Sequence, residues 1–154
     1  MELSKMVRSS RPGVNDLQKE PLAEDEISVF FNKFNEAMTS GDGEAMAALW
    51  AVPALVMSDD MVRAVRTSES VSAFFANSNE QYNERGIVGS RPEVQHLDWL
   101  TDKIVMVEVR WPYLDQDGHE RGSESSTYTL RRDDAGDFKV QAVVMHGEIE
   151  ATSH

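Results

Sequence analysis

The stretch Thr39-Ser40-Gly41-Asp42-Gly43-Glu44-Ala45-Met46-Ala47-Ala48-Leu49-Trp50 decides how the rest of the chain is read. Two glycines flank an aspartate, so one helix stops at Ser40-Gly41 and Asp42 is placed to cap the next. Upstream, Ile27, Phe30, Phe31, Phe34, Ala37 and Met38 recur at helical spacing, with Glu24, Asp25 and Glu26 at the positive end of the helix dipole. Downstream, Met46, Leu49 and Trp50 mark the apolar face of a shorter helix that Pro53 ends.

Beyond Pro53 the period shortens. Ala54–Ser58 and Met61–Arg66 read as two short strands joined at Asp59-Asp60, and Thr67 or Ser68 then caps a third helix. Its apolar stripe holds Val71, Phe74, Phe75 and Tyr82, and Gly86 closes it. After Pro92 the period changes to two: Glu93–Leu100, Lys103–Asp115, Glu120–Arg132 and Asp137–Ile149 read as four long strands of a meander. Helices first and strands last predict an α+β domain with its helices on one face of an antiparallel sheet. Residues 1–20 mix Ser, Arg, Pro and Gly without periodicity and are expected to form a flexible tail, with the domain over residues 21–150.

At 154 residues the chain suits one domain, and 40% hydrophobic with 27% charged residues is a globular balance. It has no cysteine, which excludes disulfides, thiolate metal sites and a cysteine nucleophile. A net charge of −12 and the lack of a basic, aromatic-interleaved stripe argue against nucleic acid and anionic membranes as partners. The basic N-terminal residues precede no apolar run, and no stretch approaches the ~20 apolar residues of a membrane span, so a cytoplasmic location is expected.

The Thr39–Trp50 stretch followed by a hairpin resembles the junction of the first two helices in the SnoaL-like branch of the nuclear-transport-factor-2-like superfamily. Tyr128-Thr129-Leu130-Arg131-Arg132, the acidic turn after it and Phe138-Lys139-Val140 are similar to the last hairpin of those proteins. The resemblance covers about residues 22–149 and implies a cone-shaped, cystatin-like fold, three N-terminal helices on a curved antiparallel sheet around an apolar cavity. It further implies a homodimer through the outer sheet face; no cofactor is expected. Chemistry in the superfamily ranges from ketosteroid isomerases and polyketide cyclases to non-catalytic binding modules, so the fold alone does not assign one.

Candidate site residues follow from alternation. Val105, Val107, Val109 and Trp111 are expected to face the helices, and Met106, Glu108 and Arg110 the outside. Tyr128 shares a face with Leu130, and His146 shares one with Val140, Ala142 and Val144, although Val143 and Met145 leave a second register open. Trp50, Trp111, Tyr128 and His146 are therefore the expected cavity lining, for a small apolar or carbonyl-containing molecule. Each has a plainer reading as packing or as a structural hydrogen bond. Arg63 is either a contact for an anionic ligand group or a solvated strand residue. Asp60 is a turn residue or a base at the cavity edge. A rival reading is a lyase or isomerase in which Asp60 or His146 moves a proton beside a carbonyl and Tyr128 steadies the oxyanion. A third is a purely associative domain, with a filled core and an apolar outer sheet face. Asp115-Gln116-Asp117-Gly118 opens like a calcium loop but lacks its remaining ligands, and reads as a hairpin turn.

Overall fold

The computed structural model describes residues 14–149, and most of the expected tail lies outside them. The first helix, α1 (Val14–Ser40), starts inside that tail, ahead of the expected boundary at Pro21. Leu17, Gln18, Lys19 and Glu20 are all good helix formers and carry it back. Its buried stripe is Ile27, Phe30, Phe31, Phe34 and Ala37.

The helix ends as the glycines require. Gly41 adopts φ +71°, and the Asp42 N–H reaches back to the Ala37 carbonyl at 2.9 Å while the Gly41 N–H reaches Met38. This is a Schellman termination, which needs a residue free to be left-handed. Asp42 then caps α2 (Gly43–Ala47), its Oδ1 accepting from the Ala45 N–H at 3.0 Å. That helix is one turn long, shorter than expected. Trp50 already opens β1 (Trp50–Ser58), and Pro53 lies within the strand instead of ending a helix. Strand β2 (Met61–Val65) completes the small hairpin.

The expected third helix is two. Thr67 caps α3 (Ser68–Phe75) through its hydroxyl, and left-handed Asn77 (φ +63°) separates it from α4 (Ser78–Glu84). Asn is among the few side chains that tolerate this conformation, which redirects the chain between the helices. Phe74, expected on the apolar stripe, is exposed on α3.

The four long strands are β3 (Glu93–Trp99), β4 (Ile104–Leu114), β5 (Glu120–Arg132) and β6 (Phe138–Ile149). All six form one curved sheet in the order β2-β1-β6-β5-β4-β3. The β1–β6 ladder is parallel and the others are antiparallel, so the sheet is mixed where a purely antiparallel one was expected. Strands so far apart in sequence are not bound by a hairpin's geometry and can run either way.

The core lies between α1 and the concave sheet face. Val105, Val107, Val109 and Trp111 of β4 with Tyr128 and Leu130 of β5 meet the α1 phenylalanines, as the alternation requires. Four rings fill the centre: Phe31 and Phe34 lie 5.0 and 5.4 Å from Tyr128 and 6.2 and 5.5 Å from Trp111. The interior that the resemblance gives to a closed cavity is here close-packed aromatic surface.

Candidate functional site

Open space lies at the end of the core, where α4 crosses the ends of β4 and β5. A narrow crevice with about 20 Å³ of free space, about 360 Å³ when its open mouth is included, is bounded by Met38 and Thr39 of α1, by Asn79, Tyr82 and Asn83 of α4, by Ile87–Ser90 and by Trp111, Tyr113 and Glu124 of the sheet. Its position follows from the local chain. Asn77 turns α4 over the sheet, and the Ser78 hydroxyl fixes it to the α1 terminus by donating to the Met38 carbonyl at 2.8 Å. Gly86, at φ +80°, returns the chain to the sheet, where Val88 bonds Leu114.

Glu124 is the polar centre of this space. It stands opposite Trp111 in the β4–β5 ladder, on the inner face and partly buried. Its Oε1 accepts from the Tyr113 hydroxyl at 2.8 Å and the Tyr82 hydroxyl at 3.2 Å. Burial, reinforced by the Glu124 charge, raises both phenol pKa values well above the ordinary tyrosine value. Both hydroxyls therefore stay protonated and keep donating. The two rings lie 5.8 Å apart, and the Arg85 guanidinium sits 5.1 Å from the Tyr113 centroid while pairing with Glu148 at 3.4 Å. Behind them the Trp111 Nε1–H donates to the Tyr128 hydroxyl at 2.9 Å.

The residues expected to line one cavity are dispersed. Trp111 reaches the crevice wall. Tyr128 is buried behind it, its pKa also raised by burial, and acts as hydrogen-bond partner to Trp111. Trp50 is buried beside Phe75, ring centroids 6.0 Å apart, with an indole N–H that finds no partner among the described residues. Asp60 is exposed in the β1–β2 turn and Arg63 exposed on edge strand β2.

His146 requires a correction. It is exposed, and its Nε2 lies 2.7 Å from the Oγ1 of Thr127, a residue on the outer sheet face. Two irregularities in the β5–β6 ladder explain the change. Thr129 pairs with Ala142 but Leu130 with Val140, so Gln141 is extra and Val143 takes the core position. Ser126 pairs with Met145 but Ser125 with Gly147, so His146 is itself the extra residue of the second bulge. Asp60, His146 and Tyr128 thus do not converge, and the proton-transfer set expected from them does not form.

Glu124 was the residue that sequence reasoning passed over, within the Ser123–Thr127 run. Counting back by twos from Tyr128 through Ser126 puts it on the inner face, so the signal was present. Asp115, Asp117 and His119 come close enough to share a cation, but the Asp115 carboxylate is taken up by the turn: it accepts the Asp117 and His119 N–H groups and the Arg121 Nε.

Helices over one face of a curved six-stranded sheet, with a crevice at the end of the layer, define a cystatin-like α+β protein. Comparison narrows that class: the family described as NTF2-like protein (DUF6841) matches residues 19–148, and the chain belongs to it. A comparison with curated proteins returns no match. Among solved structures it is similar to an NTF2-like protein with a cystatin-like fold from Novosphingobium aromaticivorans, at 14% identity and TM-score 0.61, covering 89% of this chain and 91% of that one. An NTF-2 like protein from Shewanella oneidensis MR-1 is similar at 14% identity and TM-score 0.60, over 81% and 99% of the two chains. A ketosteroid isomerase-like protein from Erwinia carotovora atroseptica matches at 11% identity and TM-score 0.59, over 82% and 96%. At these identities the likeness is one of fold. No helix among the described residues is long and apolar enough to cross a membrane.

Proposed function

We propose that this NTF2-like protein binds a small organic molecule in the crevice between α4 and the ends of β4 and β5. One observation carries the reading: a partly buried carboxylate, Glu124, is held by two phenol donors among aromatic walls. An apolar recess with a few convergent polar groups is the usual form of a small-molecule site. The ring faces of Tyr82, Tyr113 and Trp111 offer area to a planar or aliphatic body, and Glu124 offers orientation. Ligand-observed NMR with a fragment mixture tests it. Hits should perturb the Trp111 indole resonance and lose affinity in Tyr113→Ala; hits confined to the outer sheet face, or none at millimolar concentration, would reject the proposal.

A second element of the reading is a homodimer through the outer sheet face. Leu55, Val62 and Val144 project there, 37%, 70% and 38% exposed, beside Met57. An apolar group of this kind on a sheet surface favours burial against a partner. The crevice and the face lie on opposite sides of the sheet, so both roles are compatible in one molecule.

A further inference from the structure

We infer that the crevice selects ligands carrying a protonated amine; this deepens the small-molecule reading and rests on it. Of the side chains that bound the crevice, Glu124 is the one carboxylate, and none is Lys, Arg or His. Among the described residues no Lys, Arg or His forms an ion pair with it, whereas Glu26, Glu93, Asp115, Glu120 and Glu148 are each paired. Its two partners are neutral hydroxyls, and both act on Oε1, leaving Oε2 with no hydrogen bond among the described residues. A carboxylate drawn partly out of water without a countercharge is an unfavourable arrangement that a cation relieves.

The donor inventory points the same way. A carbonyl ligand would need a donor, and the hydroxyls of the crevice are used: both phenols donate to Glu124, and Thr39 and Ser90 donate to the Asn35 and Pro112 carbonyls. Apart from the Asn79 and Asn83 amides, what remains on offer is an acceptor oxygen and aromatic faces, and these together recognise an ammonium group. The protein's own Arg85 illustrates the preference, since its guanidinium rests on the Tyr113 ring at the crevice rim. Arg85 pairs at 3.4 Å with Glu148, the residue opposite Glu124 in the β5–β6 ladder, and forms no ion pair with Glu124 itself. The net charge of −12 raises the local concentration of cations and disfavours anions.

The test uses three probes of one shape and different charge with the full chain at neutral pH and low salt: 2-phenylethylammonium, 2-phenylethanol and phenylacetate. Binding is read from the Trp111 indole resonance. The ammonium should bind about tenfold more tightly than the alcohol, and phenylacetate more weakly than either. Glu124→Gln should bring ammonium and alcohol to the same affinity. Arg85→Ala, which removes the cation at the crevice rim, should tighten the ammonium only. Added salt should erode the ammonium advantage in the unmodified protein, a readout that does not depend on a variant folding. Equal affinities for ammonium and alcohol would overturn the inference and leave the crevice reading standing. Tighter phenylacetate binding would overturn it too. No response to any of the three probes also overturns it, and the fragment screen then judges the crevice separately.

Discussion

Tyr128 and His146 lie on neighbouring strands with opposite surroundings, and substitution of each by Phe separates them. Removing the Tyr128 hydroxyl strands the buried Trp111 N–H that donates to it, which costs on the order of 1–3 kcal/mol. His146 bonds only the Thr127 hydroxyl at the surface, so its replacement stays within about 0.5 kcal/mol. Thermal melts of both variants check this; a large loss at His146 or none at Tyr128 would contradict the placement. Asp115 gives a pH dependence. The backbone N–H of His119 and then the Arg121 side chain hold its pKa below the ordinary aspartate value. A carboxylate depressed in the fold contributes stability that is complete above the unfolded value and is lost as pH falls through the folded one. Melts of the protein and Asp115→Asn from about pH 5 down to about pH 2 should therefore converge on acidification; a constant gap would exclude the carboxylate as its source.

At the scale of elements, the Gly41-Asp42-Gly43 corner holds the helices together. A Cβ on Gly43 would lie 2.2 Å from the Ser72 backbone oxygen of α3, and one on Gly41 would lie 2.2 Å from the Asn79 side chain of α4. The Asn77 N–H also bonds the Gly41 carbonyl at 3.1 Å. Since a backbone oxygen cannot rotate away, Gly43→Ala should separate α2 from α3 and cost about 1–3 kcal/mol by overpacking. Because α4 follows directly on α3, the Trp111 resonance should shift as well. Denaturant melts with an unchanged midpoint would show the corner to be slack. This same segment separates what was legible in the sequence from what was not. Its glycines and aspartate announce a helix stop and a cap, because both are local backbone events. That Gly43 is small for the sake of α3, some thirty residues later, is a tertiary fact with no local trace. The strands of β3 to β6 were readable from period-two alternation, and so were Val105, Val107, Val109, Trp111 and Tyr128 as inner residues. His146 was misplaced because a bulge inserts one residue and inverts every facing beyond it, and the apolar Val143-Val144-Met145 run hides where it falls. The crevice depends on left-handed Asn77 splitting one expected helix into two, which no periodicity reveals.

For the whole molecule, the two faces of the sheet divide the surface by chemistry. The inner face is covered by α1, whereas the outer face carries Leu55, Met57, Val62 and Val144 over β1, β2 and β6 and becomes charged toward β3, where Glu93, Asp98 and Arg110 lie. A stable interface needs an apolar centre with a polar rim, and about 800 Å² per partner. The β2-β1-β6 half of the sheet supplies the centre, with Thr127, Thr129 and Met106 beside it and Glu108 and Arg110 toward the rim. Val144→Glu tests whether a second copy uses it. In a dimer the new carboxylate would meet apolar surface from the partner and lose its water, a cost that opposes association. In a monomer it would stay hydrated, since Val144 is 38% exposed. Sedimentation at tens of micromolar should find the unmodified chain dimeric and the variant monomeric. Circular dichroism of the variant should match that of the unmodified chain, because the core-facing Val143 is untouched. A melting temperature that rises with concentration in the unmodified chain, and not in the variant, would tie the association to this face. A monomeric unmodified chain, or a variant that still dimerises, would exclude the outer face as the contact.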